Sequence, residues 1–304
     1  MRERTSVQWH RRAKIVATVG PASWDESILG QLIAAGVDVF RVNAAHNTPE
    51  ERGPIVARVR SVASRVQRPI AILQDLASWK PRTGPLAGEP FRLIRETRVR
   101  LVPGSEPITP ERISIDDAEL VAQLEPGHRV LISDGLIELL VEAREGAELV
   151  ARVLRGGELR GRQGVAVPGV LGRPFQLSDR DRADIEFAVE QELEYIGVSF
   201  VTKPDDLQAV RQVVQECGGR ARLVAKIERP EALAAIRDIA RVSDAIMVAR
   251  GDLGVQLPPE EVPIAQKRII AAARAAGIPC IIATQMLESM TTQPIPTRAE
   301  VSDV

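Results

Sequence analysis

The sequence has few of the residues that disulfide frameworks and zinc sites require. It contains 2 cysteines and 3 histidines in 304 residues. Cys217 and Cys280 are far apart in the chain and form no CxxC motif. This composition argues against a structural zinc site and is typical of a protein from a reducing compartment.

An excess of one charge and long apolar runs are also missing. The 40 basic residues face 41 acidic ones, which gives a net charge of −1 and no electrostatic reason to expect nucleic acid or an anionic membrane as a partner. No apolar run reaches the roughly 18–20 residues of a membrane-spanning helix. The N-terminal segment MRERTSVQWHRRAK is charged and lacks the apolar core of a secretory signal. We therefore expect a soluble, cytoplasmic protein.

Short apolar runs alternate along the chain with longer amphipathic segments. The runs that predict strands cover residues 13–20, 37–43, 69–76, 194–200, 222–228, 245–250 and 279–285. The segments that predict helices cover residues 26–35, 50–66, 179–192, 205–216, 230–240 and 260–276. This alternation is typical of a parallel sheet wrapped by helices. Seven strands predict an α/β fold of the TIM-type (β/α) barrel with its last unit missing.

The alternation is interrupted between about residues 84 and 168. Alternating β-type segments occur there at residues 98–102, 129–132, 137–141 and 149–154. Turn signals accompany them at Pro103-Gly104, Pro126-Gly127 and Gly156-Gly157. We interpret this stretch as a small β-barrel domain inserted after the third barrel strand. The predicted organisation is a first barrel segment at residues 1–84, the inserted domain at 85–168 and a second, truncated barrel segment at 169–304.

Polar side chains stand at the end of nearly every predicted barrel strand. They are Arg41, Asn43, Asp75, Ser199, Lys226, Glu228, Asp252 and Thr284. Barrel enzymes place their chemistry at the C-terminal ends of the strands, and charged groups are seldom buried without partners. The predicted set of cations, carboxylates and hydroxyls suits a Mg²⁺-bound phosphate and a substrate carboxylate.

Segments from about Ala13 to Val304 resemble the motifs of the pyruvate kinase family. They read AKIVATVGPAS, DVFRVNAAHN, SDGLIELLVE, GVAVPG, VSFVTKPDDL, AKIERPEAL, SDAIMVARGDLGVQLP and ATQMLESMTTQPIPTRAEVSDV. The resemblance implies a barrel with a mobile small domain. It also implies the glycolytic transfer of a phosphoryl group from phosphoenolpyruvate to ADP, which yields ATP and pyruvate, with Mg²⁺ or Mn²⁺ as cofactor.

The resemblance also implies roles for the residues at the strand ends. Lys226 is similar to the cation that meets the transferring phosphoryl group and the developing enolate, and Arg41 to the arginine that clamps the phosphate. Glu228 and Asp252 are similar to the Mg²⁺ ligands. Thr284 is similar to the threonine near which the enol carbon is protonated.

Further residues resemble the binding positions for substrate and nucleotide. Ser199 is similar to a residue that lines the substrate pocket. Gly251 and Asp252 open a turn that resembles the one whose backbone N–H groups hold the substrate carboxylate. The residues similar to the nucleotide side of the site are Asn43, His46 and Arg82.

The chain departs from the family at the monovalent cation site. Asn43 and Asp75 match two of its four oxygen ligands, but Ala45 and Leu76 stand where the other two belong. Lys80 occupies the position of a glutamate in potassium-dependent members and could supply the missing positive charge. We therefore expect an enzyme that does not require potassium.

Other departures concern the nucleotide and the end of the chain. Ser78-Trp79 replaces a usual Gly-Pro, and Gln163 stands where the family has a lysine, which affects nucleotide grip and hinge motion. The family continues beyond SDV with a further strand, a helix and a regulatory domain. We expect either a segment of a longer chain, closure by a partner or a naturally shortened protein, and in solution a homo-oligomer.

Two other functions remain open from the residues. One is enolate chemistry on an oxo-acid without a nucleotide, as in aldolases and lyases, which would use Glu228, Asp252 and Thr284 but not Arg82. The other is a truncated homologue that binds a ligand or partner without catalysis. Detectable binding of ADP would separate the kinase from the lyase.

Overall fold

The computed structural model describes residues 12–45, 48–77, 80–170 and 174–303. The chain forms two compact units, each built from several stretches of sequence. The first unit contains the described residues of Met1–Ala77, Asp179–Gly197 and Arg211–Leu223. The second contains those of Ser78–Ser178, Val198–Val210 and Val224–Val304.

Strands and helices alternate along most of the described chain. The strands are β1 (Val16–Thr18), β2 (Val39–Asn43), β3 (Ala71–Asp75), β4 (Phe91–Leu93), β5 (Arg98–Pro103), β6 (Arg112–Ile115), β7 (Arg129–Ile132), β8 (Ile137–Glu145), β9 (Glu148–Arg155), β10 (Gly157–Leu159), β11 (Val165–Ala166), β12 (Tyr195–Val198), β13 (Arg222–Ile227), β14 (Ala245–Ala249) and β15 (Cys280–Ala283). The α-helices are α1 (Glu26–Ala35), α2 (Pro49–Arg65), α3 (Ala118–Gln123), α4 (Asp179–Glu190), α5 (Pro204–Glu216), α6 (Pro230–Ala234), α7 (Ile236–Val242), α8 (Arg250–Gln256), α9 (Val262–Ala276) and α10 (Arg298–Asp303). Within the described ranges, none of these helices has the length and apolar character needed to cross a membrane.

Parallel strands form the sheet of the first unit, where β2 pairs with β1 and β3, and β3 pairs with β12. Phe40 and Val42 of β2 are buried, whereas Arg41 and Asn43 are partly exposed. Successive side chains of a strand point to opposite faces, so Arg41 and Asn43 share one face. The register places Asn43 beside Asp75, the last residue of β3.

Local sequence signals begin and end the helices of the first unit. The Asp25 side chain accepts a hydrogen bond from the Ser27 amide at 2.8 Å, and α1 ends at Gly36 with a φ of 110°, a conformation that glycine adopts without strain. Thr48 and Glu51 form a reciprocal capping box at the start of α2. Such a cap satisfies backbone N–H groups that the helix itself leaves unpaired.

Three parallel strands lie in the second unit, where β14 pairs with β13 and β15. Every residue of β14 is buried, and β13 is buried from its second residue onward. This continuous burial is typical of a parallel strand covered on both faces. The β15 strand is partly exposed along its length.

The stretch between β3 and α4 forms a six-stranded sheet in the order β11, β7, β8, β9, β5, β6, and a two-stranded sheet of β4 and β10. All pairings are antiparallel except that of β5 with β6. Alternate side chains of β9 are buried. Leu101, Leu139, Leu149 and Val153 belong to an apolar cluster made only of residues from this stretch.

The seven predicted barrel strands are confirmed as β1, β2, β3, β12, β13, β14 and β15. The four predicted β-type segments correspond to β5, β7, β8 and β9. The predicted helix at residues 230–240 is instead two helices, α6 and α7, separated at Ala235. The predicted strand at 245–250 ends at Ala249, because Arg250 begins α8. That helix was missed since its two glycines lower helix propensity.

Candidate active site

Arg41 and Asp75 form an ion pair at the strand ends of the first unit. The Arg41 Nε lies 3.0 Å from Asp75 Oδ2, and its Nη1 donates to Thr18 Oγ1 at 3.0 Å. Asp75 is buried, whereas the Arg41 side chain is 25% exposed. The guanidinium is therefore held in one orientation and still reaches solvent, as an anion-binding arginine requires.

The positions compared with a monovalent cation site lie beside this pair. Asn43 Oδ1 accepts a hydrogen bond from the Ala45 amide at 3.0 Å. Leu76 is buried and offers no side-chain oxygen. The Asp75 Oδ2 atom is already engaged by Arg41. The local geometry therefore agrees with the reduced set of oxygens noted in the sequence.

Lys226 and Glu228 form the most buried charged pair at the strand ends of the second unit. Lys226 Nζ lies 2.7 Å from Ser199 Oγ and 2.8 Å from Glu228 Oε1. The other Glu228 oxygen accepts the Phe200 amide at 2.7 Å. Phe200 has a φ of 55°, a conformation that is uncommon for a bulky residue. The structure thus brings three predicted site residues together: Ser199, Lys226 and Glu228.

A second cation, Lys80, lies against the other predicted metal ligand. Its Nζ is 3.0 Å from Asp252 Oδ1 and 3.1 Å from Asp134 Oδ1. Burial of the ammonium lowers the pKa of Lys80, but the attraction and hydrogen bonds of Asp252 and Asp134 outweigh burial, and the net pKa is raised. Lys80 therefore remains charged at neutral pH.

Gly251 and Thr284 are also in direct contact. The Gly251 amide donates to Thr284 Oγ1 at 2.9 Å, and the Thr284 carbonyl accepts from Arg250 Nε at 3.1 Å. Thr284 has a φ of 65°. The predicted carboxylate-binding amide of Gly251 is therefore paired with the hydroxyl that we associated with protonation.

The structure describes only some of the residues that we predicted on the nucleotide side of the site. The Arg82 amide donates to Asp116 at 2.6 Å, and its Nη1 donates to the Arg162 carbonyl at 3.1 Å. Gln163 Nε2 donates to Ser133 Oγ at 3.2 Å. His46 and the pair Ser78-Trp79 lie outside the described residues.

A cavity in the second unit contains several of these groups. Its lining includes Lys80, Asp117, Phe200, Glu228, Arg229 and Asp252. Sequence reasoning missed Asp117 and Arg229. Arg229 lies with its guanidinium carbon 5.3 Å from the centre of the Phe200 ring, and Asp117 is a buried cap of α3 that accepts the Leu120 amide at 2.9 Å. Arg229 directly follows the predicted strand at residues 222–228 and could have been found from its position, whereas Asp117 follows no predicted strand and reaches the cavity only through folding.

Glu228 and Asp252 are suitable donors for a hard divalent cation. Both are carboxylates, both line this cavity, and Mg²⁺ typically takes one or two carboxylates together with water and phosphate oxygens. Among the residues that the structure describes, no group of three or more His, Cys, Asp and Glu is placed to hold a metal. The two carboxylates fit a divalent cation that takes further oxygen ligands from a bound substrate.

Comparison with known proteins agrees with this geometry. The family model described as pyruvate kinase, barrel domain, matches residues 10–304. A pyruvate kinase of Methylorubrum extorquens is 43% identical over 297 residues, which are 97% of this chain and 61% of the relative. One of Agrobacterium vitis is 44% identical over 97% of this chain and 61% of the relative. One of Geobacillus stearothermophilus is 41% identical over 97% of this chain and 51% of the relative.

This chain therefore spans 61% of the length of the first of these curated relatives. With the family model covering the whole described chain, and with lysine, carboxylates and threonine at the strand ends, the chain belongs to the pyruvate kinase family.

Proposed function

We propose that this protein transfers the phosphoryl group of phosphoenolpyruvate to ADP, giving ATP and pyruvate. The observation that carries the proposal is Lys226, held at the end of β13 between Ser199 and Glu228. A fixed ammonium suits the charge that develops on the transferring phosphoryl group and on the enolate. The activity named for the relatives supports the same reaction.

Lys226 and Arg41 are the cations proposed to bind the phosphate of phosphoenolpyruvate. Arg41 presents a planar donor fork that Asp75 holds in place, and Ser199 orients the Lys226 ammonium. Both cations are positioned before substrate arrives, which lowers the reorganisation needed in the transition state. The backbone N–H groups of Gly251 and Asp252 are proposed to hold the substrate carboxylate at the start of α8, where the carboxylate would replace Thr284 Oγ1 as the acceptor of the Gly251 amide.

The divalent cation is proposed to be Mg²⁺ or Mn²⁺, held by Glu228 and Asp252. When bound, such a cation neutralises phosphate charge. Lys226 contacts one Glu228 oxygen, and the Phe200 amide donates a hydrogen bond to the other. The protein therefore sets the orientation of this carboxylate.

The reaction breaks the bond between phosphorus and the enol oxygen and forms one between phosphorus and a β-phosphate oxygen of ADP. The electron pair remains on the enolate of pyruvate, whose carbon must then take up a proton. Thr284 is proposed to deliver that proton by relay through water, since a hydroxyl can pass a proton without becoming charged.

ADP is proposed to bind near Asn43, His46 and Arg82. Potassium is proposed to be dispensable, because Ala45 and Leu76 supply no side-chain oxygens and the Lys80 ammonium provides a positive charge in its place. The effect of Gln163 and Ser78-Trp79 on nucleotide binding stays a prediction.

The finer architecture is also a proposal. We infer a TIM-type barrel with a small β domain inserted at residues 85–168, between barrel segments at 1–84 and 169–304. The apolar cluster of that stretch supports it, since a domain has a core of its own. The eighth barrel unit, the cytoplasmic location and the homo-oligomeric state stay predictions.

A pyruvate-forming assay on the 304-residue chain tests the function. We expect pyruvate and ATP in equal amounts when phosphoenolpyruvate, ADP and Mg²⁺ are all present. Pyruvate formed at the same rate without ADP would contradict the kinase and favour nucleotide-independent enolate chemistry. Binding of ADP and phosphoenolpyruvate without any turnover would favour a non-catalytic homologue.

A further inference from the structure

The Lys80 ammonium joins two chain segments of the second unit. Asp252 Oδ1, in the first turn of α8, lies 3.0 Å from Lys80 Nζ. Asp134 Oδ1, in the turn between β7 and β8, lies 3.1 Å from the same atom. Neither the sequence motifs nor the proposed reaction accounts for the contact with Asp134.

The turn that carries Asp134 has a well-defined backbone conformation. Asp134 and Gly135 have φ values of 52° and 85°, and the Leu136 amide donates to the Ser133 carbonyl at 3.1 Å. Two positive φ angles with an Asp-Gly pair are typical of a type I′ hairpin turn. The turn therefore sets the direction of the Cα–Cβ bond of Asp134.

Gly164 connects this turn to the lysine. The Ser133 amide donates to the Gly164 carbonyl at 3.0 Å. A Cβ atom added to Gly164 would lie 3.0 Å from Lys80 Cε and 3.4 Å from its Nζ. The lysine stem thus lies against the residue that anchors the turn, and the ammonium reaches Asp134 from there.

We propose that Lys80 is a positioning residue that orients Asp252 and, through Asp134, ties the turn at residues 133–136 to the start of α8. The turn contact stands on geometry alone. The orientation of Asp252 towards a divalent cation rests on the proposed function.

The two contacts differ in strength. The Asp134 side chain is 74% exposed, compared with 36% for Asp252 and 23% for Lys80. Exposed ion pairs contribute little because solvent screens them, so the Asp134 contact is the one that opens first. Lys80 then stays on Asp252 while the turn is released.

Hydrogen exchange of the Ser133 and Leu136 amides tests the tether without any need for activity. In the full chain we expect about threefold faster exchange in Asp134→Asn and in Lys80→Met, as the loss of a weak ion pair predicts. The double variant should exchange no faster than Lys80→Met. Lys203→Met, which removes an exposed lysine 3.8 Å from Asp205, is the matched control and should exchange like the wild type.

Exchange at the wild-type rate in both Asp134→Asn and Lys80→Met would overturn the tether. A thermal melt of each variant checks that the fold is kept. If Lys80→Met does not fold, the exchange rate in Asp134→Asn alone tests the tether, because that variant changes only one exposed side chain.

Binding of Mn²⁺, followed by electron paramagnetic resonance without substrate, tests the contact with Asp252. If Lys80 orients Asp252, Lys80→Met should bind Mn²⁺ about tenfold or more weakly, as is typical when the partner of a metal ligand is removed, whereas Asp134→Asn and Lys203→Met should match the wild type. Equal or tighter binding would show that Lys80 only repels the cation, and it overturns this half of the proposal. If the wild type binds no Mn²⁺, the proposed metal site fails, and the exchange experiment still decides the tether.

Discussion

Two buried ion pairs of this molecule have similar chemistry and different surroundings. In the first unit Arg52 of α2 pairs with Asp184 of α4, and both side chains are buried. In the second unit Lys226 pairs with Glu228 at 2.8 Å, and both residues are again buried. Burial of charge alone therefore does not distinguish a structural pair from a functional one.

The surroundings of Arg52 and Asp184 are those of packing between helices. The Arg52 guanidinium lies 4.9 Å from the centre of the Phe187 ring, and the Gln74 side chain donates to the Asp184 carbonyl. Burial raises the pKa of Asp184 more than the hydrogen bond and charge of Arg52 lower it. In buried pairs of this kind the cost of desolvation can exceed the attraction between the charges.

Lys226 and Glu228 instead stand where a parallel strand ends. Glu228 lines a cavity, and its partner amide belongs to Phe200, whose φ of 55° is strained. Strain and buried charge beside a cavity are typical of sites where the protein positions a ligand. Position at a strand end, rather than burial, distinguishes the pair that we propose to act in the reaction.

Arg52→Met is expected to have the largest effect on stability. Removal of one partner of a buried pair should lower the free energy of unfolding by about 3–5 kcal/mol, because Asp184 is left buried without its cation. Chemical denaturation measures this loss. The double variant Arg52→Met with Asp184→Asn should recover part of it, and a loss in Arg52→Met near zero would remove the contrast between the two pairs.

Lys226→Met should act on turnover more than on the fold. Loss of a preorganised charge should raise the barrier by about 3–4 kcal/mol or more. The free energy of unfolding should fall less than in Arg52→Met, because Glu228 keeps the hydrogen bond from the Phe200 amide and lines a cavity. Steady-state rates for phosphoenolpyruvate and a parallel denaturation curve measure both. Near-normal turnover would show that Lys226 is not the cation of the reaction.

Gly164→Ala perturbs the Lys80 stem without removing a charge. The new Cβ would lie 3.0 Å from Lys80 Cε, which should cost about 1 kcal/mol of stability and speed exchange at the Ser133 amide. Gly53→Ala in α2 is the matched control, since nothing lies within 4 Å of its added Cβ. A Gly164→Ala variant as stable and as slow in exchange as the wild type would show that the lysine stem has room to move.

Potassium is expected to have the smallest effect. Turnover in tetramethylammonium buffer should change by less than about twofold when potassium is added, because Ala45 and Leu76 offer no side-chain oxygens and Asp75 is held by Arg41. A rise of about tenfold would show that other oxygens complete a cation site.

The sequence was sufficient to predict the elements that carry the site. Alternation of apolar runs and amphipathic segments located β2, β13 and β15, and with them Arg41, Lys226 and Thr284 at or near strand ends. Resemblance to the family then suggested a role for each residue. The helix α8 was missed, because its signal is weakened by glycine and its formation depends on packing against the rest of the second unit.

Features of short range could therefore be predicted from the amino-acid order: the strand ends and the departures at Ala45 and Leu76. The choice of ion-pair partners could not. Lys80 is separated from Asp252 by 172 residues and from Asp134 by 54, and Arg52 from Asp184 by 132. A charged side chain takes the partner that folding brings within a few ångströms at low solvent exposure, and no local pattern of residues encodes that distance.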